Sequence, residues 1–433
     1  MTEPQKPPFR KILILSQYYW PEMGAPQIRL RSLARELKNL GIEVRVLTGM
    51  PNYPLGRIFD GYRGRLHMRE SVDGIPVERV WLFPAAGRGS LKRILNYLSF
   101  TLAVTPRLLF GGKPDLVFVE AQPLTLAFPA WALRVLRGVP YVYNTPDLQV
   151  EIASEGRWVG ANWLIRLAKG MERFLMRRAF SVTTVTHAFI EHFIATRGID
   201  RRRMSFLPNG ADVQALRPLG PDDSYARLMG TDGRKVFTYA GTHAHYQGLD
   251  VIVEAAKLLV DRKDIVILMV GQGPVRQQLI REAASAHLEN ILFRDSAFEE
   301  MPRLMSITYA SLVVLKKLPA SQKMRLSKAI PPLACGVPVI YAGLGETAAI
   351  LQAEACGVAV EPESPRALAQ AIRDLADRPE RRREMGLRAR RLAERDFSWT
   401  ILAADWVRQM ACIQAGRDPG VPGLANPARS SQS

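Results

Sequence analysis

An α/β protein of two parallel-sheet domains follows from three features of the sequence. The chain has 433 residues, more than one ordinary core accommodates, so two domains are the starting expectation. Short runs rich in Ile and Val alternate with helix-length segments, the pattern of parallel strands joined by crossover helices. This alternation occurs twice, on either side of a stretch rich in Pro, Gly and Asp from Leu216 to Lys235 that has the composition of a linker.

In the first half the expected strands are KILILS, VRVLT, VERVW, LVFVEA, YVYNT, SVTTVT and MSFLP; in the second they are VFTYAG, IVILMVG, ILFRD, LVVLK, PVIYA and GVAVE. They are apolar at successive positions, as strands covered on both faces must be. Helices fit between most of them, for example Pro26 to Leu40 and Leu249 to Val260. A charged helical stretch breaks at Phe397 to Trp399, and one more helix follows it. The expected division is 1–215, 216–396, a helix within 397–416, and a polar, disordered tail over 417–433. Near position 330 the run RLSKAIPPLACG sets two prolines together. Proline cannot donate a backbone hydrogen bond, so it is tolerated in the first helical turn and little further. The helix therefore starts close to Pro331, and Ser327 and Lys328 lie on the loop entering it, where helices hold anions.

Composition narrows the function. A hydrophobic content of 47% and a charged content of 23% are those of a globular protein. The N-terminus does not read as a secretory signal. Cys335, Cys356 and Cys412 are widely spaced and read as reduced thiols, without metal-ligand spacing. Residues 1–205 carry 30 Lys and Arg against 16 Asp and Glu, a net +14 of the chain's +18. Such a half meets an anionic partner, whether nucleic acid, an anionic membrane face or a phosphorylated substrate, or else reflects an Arg-rich composition alone. No aromatic and basic platform for nucleic acid is visible. The segment Leu91 to Phe110 has Leu91, Ile94, Leu95, Leu98 and Leu102 at helical spacing, with Lys92 and Arg93 at its start. It is an amphipathic helix that lies either on a membrane surface or against its own domain.

In parallel sheets ligands gather at the C-terminal ends of the strands. Four loops there carry small or polar residues: Gly24 and Ala25 before a helix; Thr242, His243 and Gln247 after VFTYAG; Gly271 and Gly273 after IVILMV; and Gly345, Glu346 and Thr347 after PVIYA. Together they favour a phosphorylated ligand. The ATPase and dinucleotide fingerprints are missing. No Asp-x-Asp pair is present to hold a divalent cation on a diphosphate, and no His-rich cluster points to zinc. No metal and no cofactor is therefore expected, and a bound diphosphate would be met by helix ends, backbone amides and Lys or Arg.

Several of these stretches also carry a family resemblance. YYWPEMGAPQIRLRSLARELKNLGIEVRVLTGMPNYP, LPNGAD followed by LRP, YAGTHAHYQGLDVIVEAAKLL, VGQGPVRQQL and ACGVPVIYAGLGETAAIL, in that order, resemble the family-4 glycosyltransferases. The likeness is to the bacterial branch that builds O-antigen, capsule and exopolysaccharide, and it covers about residues 10–412. The resemblance implies the GT-B fold, two Rossmann-like domains facing a central cleft, with a last helix that crosses back to the first domain. It implies metal-independent transfer, with retention, of a hexose or N-acetylhexosamine from a nucleotide-sugar, here a UDP-sugar. The acceptor would be a polyprenyl-diphosphate-linked sugar or another glycan. Its setting would be the cytoplasm, peripherally on the inner face of the cytoplasmic membrane, with Leu91, Lys92, Arg93, Leu95 and Leu98 toward an anionic surface. A sugar-nucleotide epimerase of the same fold, or a non-catalytic glycan- or lipid-binding relative, are the alternatives.

Carried over by position, Gly24 and Ala25 would approach the donor diphosphate. PDLQVE resembles the acceptor-side motif, which makes Asp147 and Glu151 candidates near the reacting centre; Asp147 would orient or deprotonate the acceptor hydroxyl, or else only cap a helix. Ser327 and Lys328 match a Ser-Lys that contacts donor phosphates, and Lys328 would stabilise the leaving group. Glu346 matches a Glu near the donor sugar. Two positions depart from the family: a Glu that commonly binds the donor ribose is replaced by Pro331, and another by Lys323. Gln247 stands where many members have Lys, as is usual in this branch.

Overall fold

The computed structural model describes residues 7–85, 90–148, 150–151, 162–318 and 323–420. The chain divides into two units, Met1–Pro208 with Trp399–Ser433, and Asn209–Ser398.

The first unit holds an eight-stranded sheet of β1 (Lys11–Leu15), β2 (Glu43–Gly49), β3 (His67–Val72), β4 (Ile75–Val80), β5 (Leu116–Glu120), β6 (Tyr141–Thr145), β7 (Ser181–Thr184) and β8 (Met204–Phe206), in the order β3-β4-β2-β1-β5-β6-β7-β8. Every pairing is parallel except β3 with β4. The central strands β5 and β6 are buried at every position. β3 is the one strand that the apolar pattern does not predict. It is a polar edge strand with Met68, Glu70 and Val72 opposite Arg79, Val77 and Ile75. Asp73 and Gly74, both at positive φ, make its turn, and Asp-Gly between two strands is a sequence signal for such a hairpin.

The second unit holds six parallel strands: β9 (Lys235–Ala240), β10 (Ile265–Val270), β11 (Ile291–Arg294), β12 (Thr308–Val314), β13 (Val339–Ala342) and β14 (Gly357–Val360). Their order, β11-β10-β9-β12-β13-β14, is that of a Rossmann sheet, in which the chain winds outward in both directions from a central pair. All thirteen strands expected from the apolar runs are present. Pro331 and Pro332 occupy the first turn of the short helix Ile330–Ala334, preceded by a 3-10 turn over Ser327–Ala329.

The charged helix Pro379–Leu392 leads through a widened turn, Ala393–Phe397, to extended Ser398 and then the helix Trp399–Gln414. That last helix belongs to the first unit. Trp399, Leu402, Ala403, Trp406 and Met410 join the core around Leu30 and Phe118. The Trp406 indole donates to Thr183 Oγ1 at 3.2 Å, and the Gln409 amide bonds both the N–H (2.7 Å) and the carbonyl (2.9 Å) of Phe206. The tail expected to be disordered lies, from residue 421, outside the described residues.

Candidate functional site

In the second unit β9 and β12 are neighbours, but the chain leaves them toward opposite edges of the sheet. That divergence opens a crevice at their C-terminal ends, where such sheets take ligands. The Lys328 side chain runs along its β9 wall: a Cβ on Gly241 would lie 2.9 Å from Lys328 Cδ, so only glycine leaves room for the stem. Gln247 comes from the loop after β9. Its amide oxygen accepts from Lys328 Nζ at 3.1 Å, and its amide nitrogen donates to the Val314 carbonyl, at the end of β12, at 3.2 Å. This orientation of the amide is the one that pairs both atoms with complementary groups. Among the described residues no carboxylate pairs with Lys328, and burial lowers its pKa to about 8.

The loops after β9 and β10 are clamped together. Gly241 N–H donates to Val270 O (3.0 Å), His243 N–H to Gln272 O (2.8 Å) and Val275 N–H to His243 O (3.1 Å). A Cβ on Gly271 would collide with the Gly241 carbonyl, and one on Gly273 with that of His243. The two glycines thus serve this backbone contact. His243 is fully buried between Tyr239 and Phe293. Burial, and after it the Arg276 charge, push its pKa down to about 4; the Val270 carbonyl opposes this but is outweighed, so the ring is neutral. Thr242 is exposed.

Glu346 opens the helix Glu346–Ala353 after Gly345, which has φ 83°. The Glu346 carboxylate is buried in an ion pair with Arg325 at 3.0 Å. Thr347 Oγ1 accepts from Leu326 N–H at 3.2 Å. These two contacts fix the segment that presents Ser327 and Lys328. Glu346 is therefore engaged by Arg325.

The first unit repeats the same divergence at β1 and β5. Gly24, extended, precedes the helix Ala25–Asn39, whose first turn contains proline and no acidic residue. From that helix Arg29 reaches Glu120 at the end of β5, 2.8 Å away, with both side chains only 2–3% exposed. Asn144, near the end of β6, donates to the same carboxylate at 2.7 Å. Among the described residues, Arg29 Nη1, Glu120 Oε1, Asn144 Oδ1, Gln17 Oε1 and Gln27 Oε1 are buried without a protein partner. Asp147 adjoins this group and accepts from Gln122 Nε2 at 3.2 Å. Burial raises the pKa of Asp147, against the Gln122 hydrogen bond and the Arg29 charge. Burial likewise raises that of Glu120, against Arg29 and Asn144. A raised carboxyl pKa suits a group that takes up a proton. Arg29, Glu120, Gln122 and Asn144 escaped the sequence reading. Their one signal is a polar residue near the C-terminal end of an apolar run, Glu120 in LVFVEA and Asn144 in YVYNT.

Glu151 does not join that group. Its carboxylate pairs with Arg197 at 2.6 Å and His192 at 3.3 Å, and Arg197 also pairs with Glu172 at 2.6 Å. Burial alone would raise the Glu151 pKa, but these partners lower it to about 2. The Glu151 carboxylate, expected near the reacting centre, is thus held in ion pairs with Arg197 and His192. Among the described residues no group of three or more His, Cys, Asp or Glu side chains is placed to hold a metal ion.

The helix Ser90–Phe110 packs through Phe100, Val104 and Leu108. Its other apolar residues, Leu91, Ile94, Leu95, Leu98 and Leu102, are 43–72% exposed, beside exposed Lys92 and Arg93. Trp163, Leu164 and Leu167 of the helix Asn162–Arg178 are exposed as well. Among the described residues no helix is long and apolar enough to cross a membrane.

Residues 24–210 match the glycosyl transferase 4-like domain, and residues 229–392 match the glycosyl transferases group 1 domain. WcaI of Escherichia coli K12, named as a colanic acid biosynthesis glycosyl transferase, is 27% identical over 378 residues, which are 84% of this chain and 91% of that protein. Sucrose-phosphate synthase from Thermosynechococcus elongatus has the same fold, with a TM-score of 0.72 at 17% identity over 94% of this chain and 99% of that one. Anabaena HepE in complex with UDP and glucose aligns with a TM-score of 0.67 at 18% identity, over 93% and 99% of the two chains.

Proposed function

The chain belongs to the family-4 glycosyltransferases of GT-B fold, and from that premise we propose that it transfers a sugar, with retention and without a metal ion, from a UDP-sugar to a lipid-linked or glycan acceptor in the building of a bacterial surface polysaccharide. The observation that carries the reading is Lys328, an ammonium without a carboxylate partner among the described residues, set at the crevice of a Rossmann sheet. Departure of the leaving group puts extra negative charge on the nucleoside diphosphate. A preorganised cation in a poorly solvated site stabilises that charge without having to reorganise. In this reading Ser327 and the backbone at Thr242 and Gly345 complete the phosphate contacts, and Glu346 sits near the donor sugar. UDP in HepE supports the nucleotide, and WcaI's name supports the polysaccharide. On the acceptor side Asp147 takes the hydroxyl proton or orients that hydroxyl, held by Gln122.

The test is a turnover assay with a panel of UDP-hexoses and UDP-N-acetylhexosamines, with and without polyprenyl-diphosphate-linked sugars. UDP release that needs acceptor and survives EDTA is expected. Sugar interconversion without acceptor would indicate an epimerase, and no turnover at all a binding protein. Loss in EDTA with recovery on adding Mg²⁺ or Mn²⁺ would overturn the metal-free mechanism.

The exposed face at Leu91, Leu95 and Leu98, with Lys92 and Arg93, is proposed to rest on an anionic membrane. Each basic residue near such a surface contributes roughly 1 kcal/mol, and salt screens that attraction. Sedimentation with anionic vesicles is expected at low salt and should decline as salt rises. Equal binding to neutral vesicles would remove the electrostatic part of this claim.

A further inference from the structure

We infer that Gln247 is a positioning residue: it acts on the donor diphosphate through Lys328 and does not itself contact the donor. The inference rests on the reading of Lys328 as the phosphate contact. Gln247 is 1% exposed. A side chain so enclosed has little surface to offer a ligand. Both of its polar atoms already have partners, Lys328 Nζ at 3.1 Å and the Val314 carbonyl at 3.2 Å. The two partners belong to different elements: Val314 ends β12, and Lys328 lies on the turn entering the helix Ile330–Ala334. Gln247 itself sits on the turn after β9. One amide therefore ties the Lys328 ammonium to both strands that bound the crevice, while Gly241 gives its stem a channel.

The chemistry of the partner matters as much as its position. A carboxylate at 247 would hold Lys328 equally well but would neutralise it, and an incoming phosphate would then have to compete with a resident anion. A second ammonium would repel the first. A neutral acceptor fixes the ammonium and leaves its charge available. The surroundings are consistent with this economy of charge, since His243 nearby is neutral. Lys316, whose stem lies 3.0 Å from where a Cβ on Gly248 would sit, is another cation close to this loop.

The probe is inorganic pyrophosphate, which carries the diphosphate charge without committing to a nucleotide. Its affinity would be measured by calorimetry on the full chain, with thermal unfolding as the check on folding. Gln247→Glu is expected to weaken pyrophosphate binding by about tenfold or more, as fits the loss of one charge-assisted hydrogen bond. Gln247→Met, of similar shape but unable to hold Lys328, should weaken it less. Should Gln247→Met fail to fold, Gln247→Asn replaces it, because the shorter amide cannot reach both partners. A purely structural Gln247 would lower the melting temperature in these variants and leave pyrophosphate affinity unchanged, and that result overturns the inference. Lys328→Ala separates the two claims. If it loses pyrophosphate while the Gln247 variants bind normally, the role of Gln247 falls and the phosphate site stands. If it binds like wild type, the phosphate site itself is misassigned.

Discussion

Lys328→Ala lowers turnover by about 10²–10³-fold, the range found when one preorganised contact to developing charge is removed. The melting temperature should change little. The side chain is partly buried, but among the described residues no carboxylate pairs with its ammonium, which the neutral Gln247 holds, so no buried counter-charge is stranded by its removal. Lys328→Arg is the informative companion. A guanidinium keeps the charge but is wider and planar, and the stem that carries it packs directly against Gly241. Partial activity in the arginine variant with almost none in the alanine variant is the expected pattern. A fully active, normally folded Lys328→Ala protein would move the phosphate grip to Lys323 or Arg325.

Asp147→Asn is expected to lower kcat by about 10²–10⁴-fold, the usual contribution of a positioned base. Asparagine caps helix ends as well as aspartate does, so an Asp147 that served only as a cap would leave activity intact after this change. The carboxylate must be ionised to accept a proton, so the wild-type rate should rise with pH through the pKa of Asp147, which burial places above the ordinary carboxyl value. That rising limb should be absent from the residual activity of Asp147→Asn. A variant with wild-type kcat and an unchanged pH profile would reduce Asp147 to a structural residue.

The parts of this molecule that were legible in its sequence are those set by local pattern. Strands such as LVFVE and IVILMV are apolar throughout because both faces are covered, and they read directly. The proline pair could be placed because a missing N–H has only one cheap position in a helix. β3 was not legible as an apolar run: an edge strand needs only partial burial, and its turn, Asp73-Gly74, was its one local mark. The site divides the same way. Ser327 and Lys328 announce themselves by position. The Arg29–Glu120 pair joins residues 91 apart in the chain, and the Arg197–Glu151 pair joins residues 46 apart. Nothing local distinguishes the first, next to Asp147, from the second, which joins Glu151 to the end of the helix His187–Arg197. The amphipathic helix Ser90–Phe110 was ambiguous for a related reason. Its sequence holds two apolar faces, and only packing shows that Phe100, Val104 and Leu108 face inward while Leu91, Leu95 and Leu98 do not.

The placement of the donor phosphates at the β9–β12 crevice is what the mechanism depends on most. A crystal structure of the protein with UDP tests it directly. A phosphate oxygen about 2.7–3.2 Å from Lys328 Nζ, the range of a direct hydrogen bond, with Gln247 still holding that ammonium, is the predicted result. A diphosphate bound without contact to Lys328 or to the Gly241–Thr242 backbone would contradict it.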